Sequence, residues 1–89
     1  MTGKERAELR KQANQLSAIF QIGKENITET LVEAVDAALK KRELIKLSVL
    51  ETSELSAKEA AEELANATGA EVIQTIGRKL VLYREKEEE

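Results

Sequence analysis

Residues 18–28, AIFQIGKENIT, carry the chain from one backbone period to another, a strand-to-helix switch around which the other elements are arranged. The run AIFQI (18–22) is short, apolar and β-prone, which predicts a strand with Phe20 facing inward. Gly23, Lys24, Glu25 and Asn26 then break it. Glycine and asparagine are the residues that most readily accept positive φ, so this segment reads as a tight loop. Thr28 has the chemistry of a helix N-cap, and Ile27 and Val32 stand at the spacing of a hydrophobic staple. Leu31, Val35, Ala38 and Leu39 share one helical stripe, and Lys40, Lys41 and Arg42 suit the negative end of that helix's dipole.

Downstream, residues 44–50 (LIKLSVL) predict a second strand, with Ile45, Leu47 and Val49 on one face and Lys46 and Ser48 on the other. Ser56 and Glu59 form a capping box. The helix it opens runs through Ala60, Ala61, Leu64 and Ala65 and stops at Gly69, and its alanines let it lie close against a sheet. Residues 71–76 (EVIQTI) and 80–84 (LVLYR) read as two strands around Gly77 and Arg78, a pair that suits a two-residue type II′ turn. Upstream, residues 3–15 are polar, with Ala7, Leu9 and Ala13 spaced for a weakly amphipathic helix. The order α-β-α-β-α-β-β predicts an α/β two-layer sandwich with a four-stranded mixed sheet. A single domain over 1–85 and an acidic tail at 86–89 complete the expected organisation.

A chain of 89 residues supports one modest core and no deep, enclosed substrate cavity. Cysteine and histidine are both absent, which removes disulfides, thiolate nucleophiles, Cys/His zinc sites and imidazole acid–base catalysis. The lack of disulfides favours an intracellular chain, and no apolar run approaches the ~20 residues that span a bilayer. The expected location is cytoplasmic, with no membrane partner. A monomer is expected too, because no surplus apolar stripe remains once the sheet is covered.

Net charge is −3, yet it divides into −5 over residues 51–71, −3 over 85–89 and +5 over the remainder. Whole-chain charge can hide a local basic face, the kind of field that steers an anionic ligand, but on charge alone the division reads as ordinary surface charge that solubilises the chain. Groups positioned for catalysis are few. The carboxylates sit at ordinary surface spacings, and no serine lies in a G-x-S-x-G elbow. Gly23-Lys24 lacks the earlier glycine and the following Ser/Thr of a Walker loop. No catalytic residue, metal ligand or cofactor is expected. The Gly23–Asn26 loop is more informative: between a strand and a helix N-terminus, its N–H groups can face an anion, with Lys24 as a point charge. Tetrapeptides of this kind are common, and from local sequence alone the loop reads as a plain turn with a solvated lysine.

Resemblance across the chain alters that balance. The runs FQIGK (20–24), Ile27-Thr28 and RELIKL (42–47), with the closing AEVIQTIGRKLVLYR (70–84), resemble the CRM domain (chloroplast RNA splicing and ribosome maturation). Within it, the chain is similar to the bacterial stand-alone YhbY family. The resemblance covers roughly residues 2–85. It implies a fold similar to the C-terminal domain of translation initiation factor three, a KH-like GxxG RNA-binding loop, and association with ribosomal RNA in large-subunit precursors. By position that loop is Gly23, Lys24, Glu25 and Asn26. Asn26 stands where the family pattern has its second glycine, and Glu25 adds a negative charge. Asparagine retains access to left-handed φ.

Phe20 and Tyr83 are the only aromatic residues, so stacking along several bases is not expected and recognition of phosphate and shape is. The expected RNA surface is the first helix (Lys4, Arg6, Arg10, Lys11), the loop, and more weakly Arg78, Lys79 and Arg84, with the acidic third helix and tail facing away. A competing expectation is an adaptor that docks on ribosome-assembly proteins through Glu59, Glu62 and Glu63 of the third helix.

Overall fold

The computed structural model describes residues 1–85; the acidic tail expected at 86–89 lies outside them. Its elements are α1 (Gly3–Ala13), β1 (Phe20–Ile22), α2 (Glu29–Arg42), β2 (Leu44–Val49), α3 (Ala57–Thr68), β3 (Glu71–Ile76) and β4 (Lys79–Tyr83). The order is the one the sequence predicts, with ends displaced by a residue or two where ladders and helices fray. The strands form one four-stranded sheet in the order β1-β2-β4-β3. β1 pairs with β2 in parallel, and β4 runs antiparallel to both β2 and β3, which makes the sheet mixed.

Each helix begins on a side-chain cap. Thr28 accepts from the Leu31 amide at 3.1 Å. Ser56 and Glu59 exchange reciprocal bonds: Ser56 Oγ accepts from the Glu59 amide at 3.1 Å, and the Ser56 amide donates to the Glu59 carboxylate at 3.0 Å, which holds that carboxyl below its ordinary range. α3 ends at Gly69, which takes φ +73°, a conformation that residues with a Cβ rarely adopt.

Strand periodicity sends alternate residues to two cores. Ile22, Ile45, Leu47, Val49, Leu80 and Leu82 meet Val35 and Leu39 of α2 and the alanines and Leu64 of α3. Phe20 packs against this cluster, inward as expected. On the opposite face Leu44, Ile73 and Val81 meet Ala13, with Leu9 and Tyr83 at the margin. The two-layer sandwich thus comprises α2, α3 and the sheet, and α1 adds a short layer behind it. Ile73 reaches that layer through a bulge: Val72 pairs with Leu82 and Gln74 with Val81, leaving Ile73 as the extra residue. The closing hairpin turns on Gly77 at φ +57° with Arg78 at negative φ, as a type II′ turn requires.

Arg84 corrects an expectation. Its guanidinium donates to Asp36 Oδ1 at 2.6 Å, to the Asp36 carbonyl at 3.0 Å and to the Thr68 carbonyl at 2.7 Å. α3 has no basic residue in its last turn, so this arginine, arriving from the end of β4, supplies the cation its C-terminal carbonyls attract. Arg84 joins α2 to α3 and is not a free RNA-facing charge.

The Arg84 hydrogen bond, and after it that of Lys40, hold the Asp36 carboxyl below its ordinary value of 3.8. Because the folded value is the lower one, this stabilisation is complete well above 3.8 and is lost as the pH falls through the folded value. Asp36→Asn should therefore flatten the acid limb of the stability curve, read as urea midpoints between about pH 5 and pH 2. Curves that stay parallel for native and variant protein would contradict the assignment.

Candidate functional site

Strand direction gathers three connections at one end of the sheet. Parallel pairing sets Ile22 beside Val49, so β1 and β2 finish together, and the antiparallel β4 starts there with Lys79 opposite Ser48. The Leu50 amide donates to the Ile22 carbonyl at 2.8 Å, and the Val49 amide to the Arg78 carbonyl at 2.7 Å. These bonds fix the β1–α2 turn, the β2–α3 loop and the β3–β4 turn as neighbours.

Gly23–Asn26 is a closed turn, with the Asn26 amide donating to the Gly23 carbonyl at 2.9 Å. Asn26 takes φ +57°, the left-handed conformation expected of it. Its side chain does more than permit the turn. Oδ1 accepts from the Ser53 hydroxyl at 3.0 Å and from the Glu54 amide at 3.1 Å, tying the turn to the β2–α3 loop. Nothing in the sequence marks Ser53 as this partner, 27 positions away. Gly23, by contrast, is not at positive φ. A Cβ there would lie 3.5 Å from Leu50 Cδ1 and Thr52 Oγ1, ordinary contact distances.

Charge on this edge is mixed. Lys24 and Lys79 are exposed and form no ion pair among the described residues. Arg78 approaches Glu51 only at 3.8 Å, both largely in solvent, a contact of little energetic weight. Glu25 stands exposed beside Lys24.

The first helix does not present its four cations as one face. Lys4 and Lys11 are exposed, whereas Arg6 and Arg10 are half-buried near the sheet-facing Leu9 and Ala13. Arg6 donates to the Val72 carbonyl at 2.7 Å and lies 3.5 Å from Glu71, so it anchors α1 to β3. α1 packs at the Leu44 end of β2, about 16 Å of strand from the Val49 end. Lys46, absent from the expected site, donates to the Ala13 and Leu16 carbonyls at 3.5 Å each and so closes the C-terminus of α1.

The far end of the sheet is unfavourable for a polyanion. Burial pushes the Tyr83 hydroxyl pKa up, and the negative fields of Glu43, Glu85, Glu5 and Glu71 push it further. With Tyr83 under α1 and Arg84 bound to Asp36, the exposed cations brought together are Lys24, Arg78 and Lys79.

Asn26→Ala should lose two hydrogen bonds and strain the left-handed backbone, together about 2–3 kcal/mol in urea unfolding. Asn26→Gly, which restores the backbone but not the bonds, should cost about 1–2 kcal/mol. Equal losses would mean that the conformation contributes nothing.

The CRS1 / YhbY (CRM) domain matches residues 1–84 of this chain. The chain is 40% identical over 88 residues to the "Probable RNA-binding protein YqeI" of Bacillus subtilis (strain 168), covering 99% of this chain and 92% of that protein. It is 38% identical over 89 residues to the "Probable RNA-binding protein MJ0652" of Methanocaldococcus jannaschii, covering 98% and 66%. The solution structure of the hypothetical protein SAV1595 from Staphylococcus aureus matches with a TM-score of 0.82 at 44% identity, over 99% of this chain and 92% of that one. By a domain match that takes in nearly every described residue, the chain belongs to the CRS1 / YhbY (CRM) domain family.

Proposed function

We propose that the protein is a non-catalytic RNA-binding protein of the cytoplasm that contacts ribosomal RNA in precursors of the large ribosomal subunit. The observation that carries this reading is the convergence of Lys24, Arg78 and Lys79 on the edge where β1 and β2 end and β4 begins. The Gly23–Asn26 turn leads directly into α2, whose N-terminal dipole adds to the field an anion would meet there. Lys4 and Lys11 stand exposed on α1 at the other end of the sheet, apart from this edge, and Glu25 tempers the field at the turn. Relatives named as RNA-binding proteins support RNA as the partner.

The acidic helix is well placed not to interfere. α3 packs on the face that Leu80 and Leu82 enter, and Lys79 and Val81 project from the other. The sheet therefore separates Glu62 and Glu63 from Lys79, while Glu63 shares a cleft with Ile27 and Thr28 beyond the Lys24 turn. One observation favours a second role: a cleft between α2 and α3 has Ile27, Val32 and Ala67 in its lining and only acidic charges, Glu29, Glu33 and Glu63. It supports the adaptor reading for a basic partner protein. Glu59 drops out of that reading, because its carboxylate accepts the Ser56 amide at 3.0 Å.

Binding to a large-subunit ribosomal RNA fragment, titrated against salt, tests the RNA reading. If about five phosphates are neutralised, log K should fall against log salt with a slope of about −3.5 to −4.5. Lys24→Glu should weaken binding and flatten the slope by about one, whereas Glu62→Gln with Glu63→Gln should leave both unchanged. A larger loss from the glutamate pair than from Lys24→Glu would reverse the assignment of faces.

A further inference from the structure

α1 covers only part of the face it packs on. Its apolar contacts are with Leu44, Ile73 and Val81, and Lys46 beside Val81 reaches its C-terminus; the next row of the sheet toward the turns lies beyond them. The register names that row: Gln21 of β1 lies opposite Ser48 of β2, Ser48 opposite Lys79 of β4, and Lys79 opposite Ile76 of β3. Residues directly opposite one another share a face, so these four side chains cross the sheet in a line about 14 Å long.

Ser48 is the unusual member. It is only 6% exposed, yet its hydroxyl makes no hydrogen bond to the described residues, although neighbouring Lys46 is engaged with α1. Among the described residues no side-chain polar atom is both sealed from solvent and unpartnered. The Ser48 hydroxyl therefore keeps a small solvent contact, as a donor and acceptor at the floor of the row. Gln21 beside it is exposed and adds an amide that both donates and accepts. Lys79 supplies a cation, and Ile76, 63% exposed, an apolar surface.

We infer that this row is a binding surface for a short single-stranded segment of the RNA, continuous with the Lys24 and Arg78 turns. The inference rests on the RNA reading above and deepens it from an electrostatic edge to a site with readout. A splayed single strand offers base edges and ribose hydroxyls at the spacing of side chains as well as phosphates. Ser48 and Gln21 bond the base edges or the 2′-hydroxyl, Lys79 holds a phosphate, and Ile76 lies against a base or sugar. The row itself contains one cation, Lys79, and no carboxylate; Lys24 and Arg78 stand in the adjoining turns beside Glu25 and Glu51, and the positive charge within the row suits a polyanion over an acidic peptide. Phe20 is committed to the other face and Tyr83 to α1, so recognition here is by hydrogen bonds and not by stacking.

The test is fluorescence-anisotropy binding of a mixed-sequence single-stranded RNA 12-mer, with amide chemical-shift mapping of the same complex. The Gln21→Ala, Ser48→Ala double variant should bind about tenfold more weakly with an unchanged salt slope, since it removes two neutral hydrogen bonds and no charge. Amides of Gln21, Ser48 and Lys79 should shift on binding in the native protein, a readout independent of how the variant folds. If native protein binds, Lys24→Glu weakens it, and neither the double variant nor these amides respond, the sheet row is excluded while the RNA reading stands. If native protein binds neither this 12-mer nor the ribosomal RNA fragment, both fall together.

Discussion

The parallel pairing of β1 with β2 is the constraint on which the rest of the arrangement depends. Two adjacent parallel strands cannot be joined by a hairpin; they need a crossover, and α2 is that crossover. The return along α2 brings both strands to finish at the same end. Because β4 runs antiparallel to β2, its first residue and the hairpin turn before it arrive there as well. A strand, a turn and a helix N-terminus are thus set beside a second turn carrying Arg78, with backbone bonds of 2.7 and 2.8 Å holding the connections to the sheet. The basic edge is a product of topology, since Lys24 lies more than 50 positions from Arg78 and Lys79 in the chain.

The same topology explains how an acidic protein can present such an edge. Of the six carboxylates of residues 51–71, Glu59, Glu62 and Glu63 lie on α3, behind the sheet. Glu51 and Glu54 stand in the loop beside the turns, and another group with Glu71 surrounds Tyr83 at the opposite end. Several remaining charges serve the fold. Arg6 anchors α1, Arg84 joins α2 to α3, Lys46 closes α1 and Glu59 completes a cap. What is left for a partner is smaller than the sequence suggests and located more narrowly.

Elements with strong local signals were legible in the sequence. The period-2 pattern of LIKLSVL, the Ser56–Glu59 box and the Gly77-Arg78 turn each follow from interactions within a few residues, and the structure contains all three. Asn26 at positive φ was legible for the same reason. Long-range partners were not. A terminal arginine after a strand looks like a solvated charge until α2 and α3 bring Asp36 and the Thr68 carbonyl to it. Helical spacing in residues 3–15 groups Arg6 and Arg10 with Lys4 and Lys11, but only the docking of Leu9 and Ala13 shows which pair turns toward the sheet. Ser48 reads as a solvent-facing strand residue, and its place between Gln21 and Lys79 needs the register of three strands.

The central claim is that the edge carrying Lys24 and Lys79 joins this protein to ribosomal RNA. Gradient sedimentation of extracts from growing cells, comparing tagged native protein with a folded Lys24→Glu, Lys79→Glu variant, tests it most directly. The native protein should travel with large-subunit precursors and the variant should remain at the top of the gradient. Migration of both with the precursors would contradict the claim and move the contact to the acidic side of the molecule.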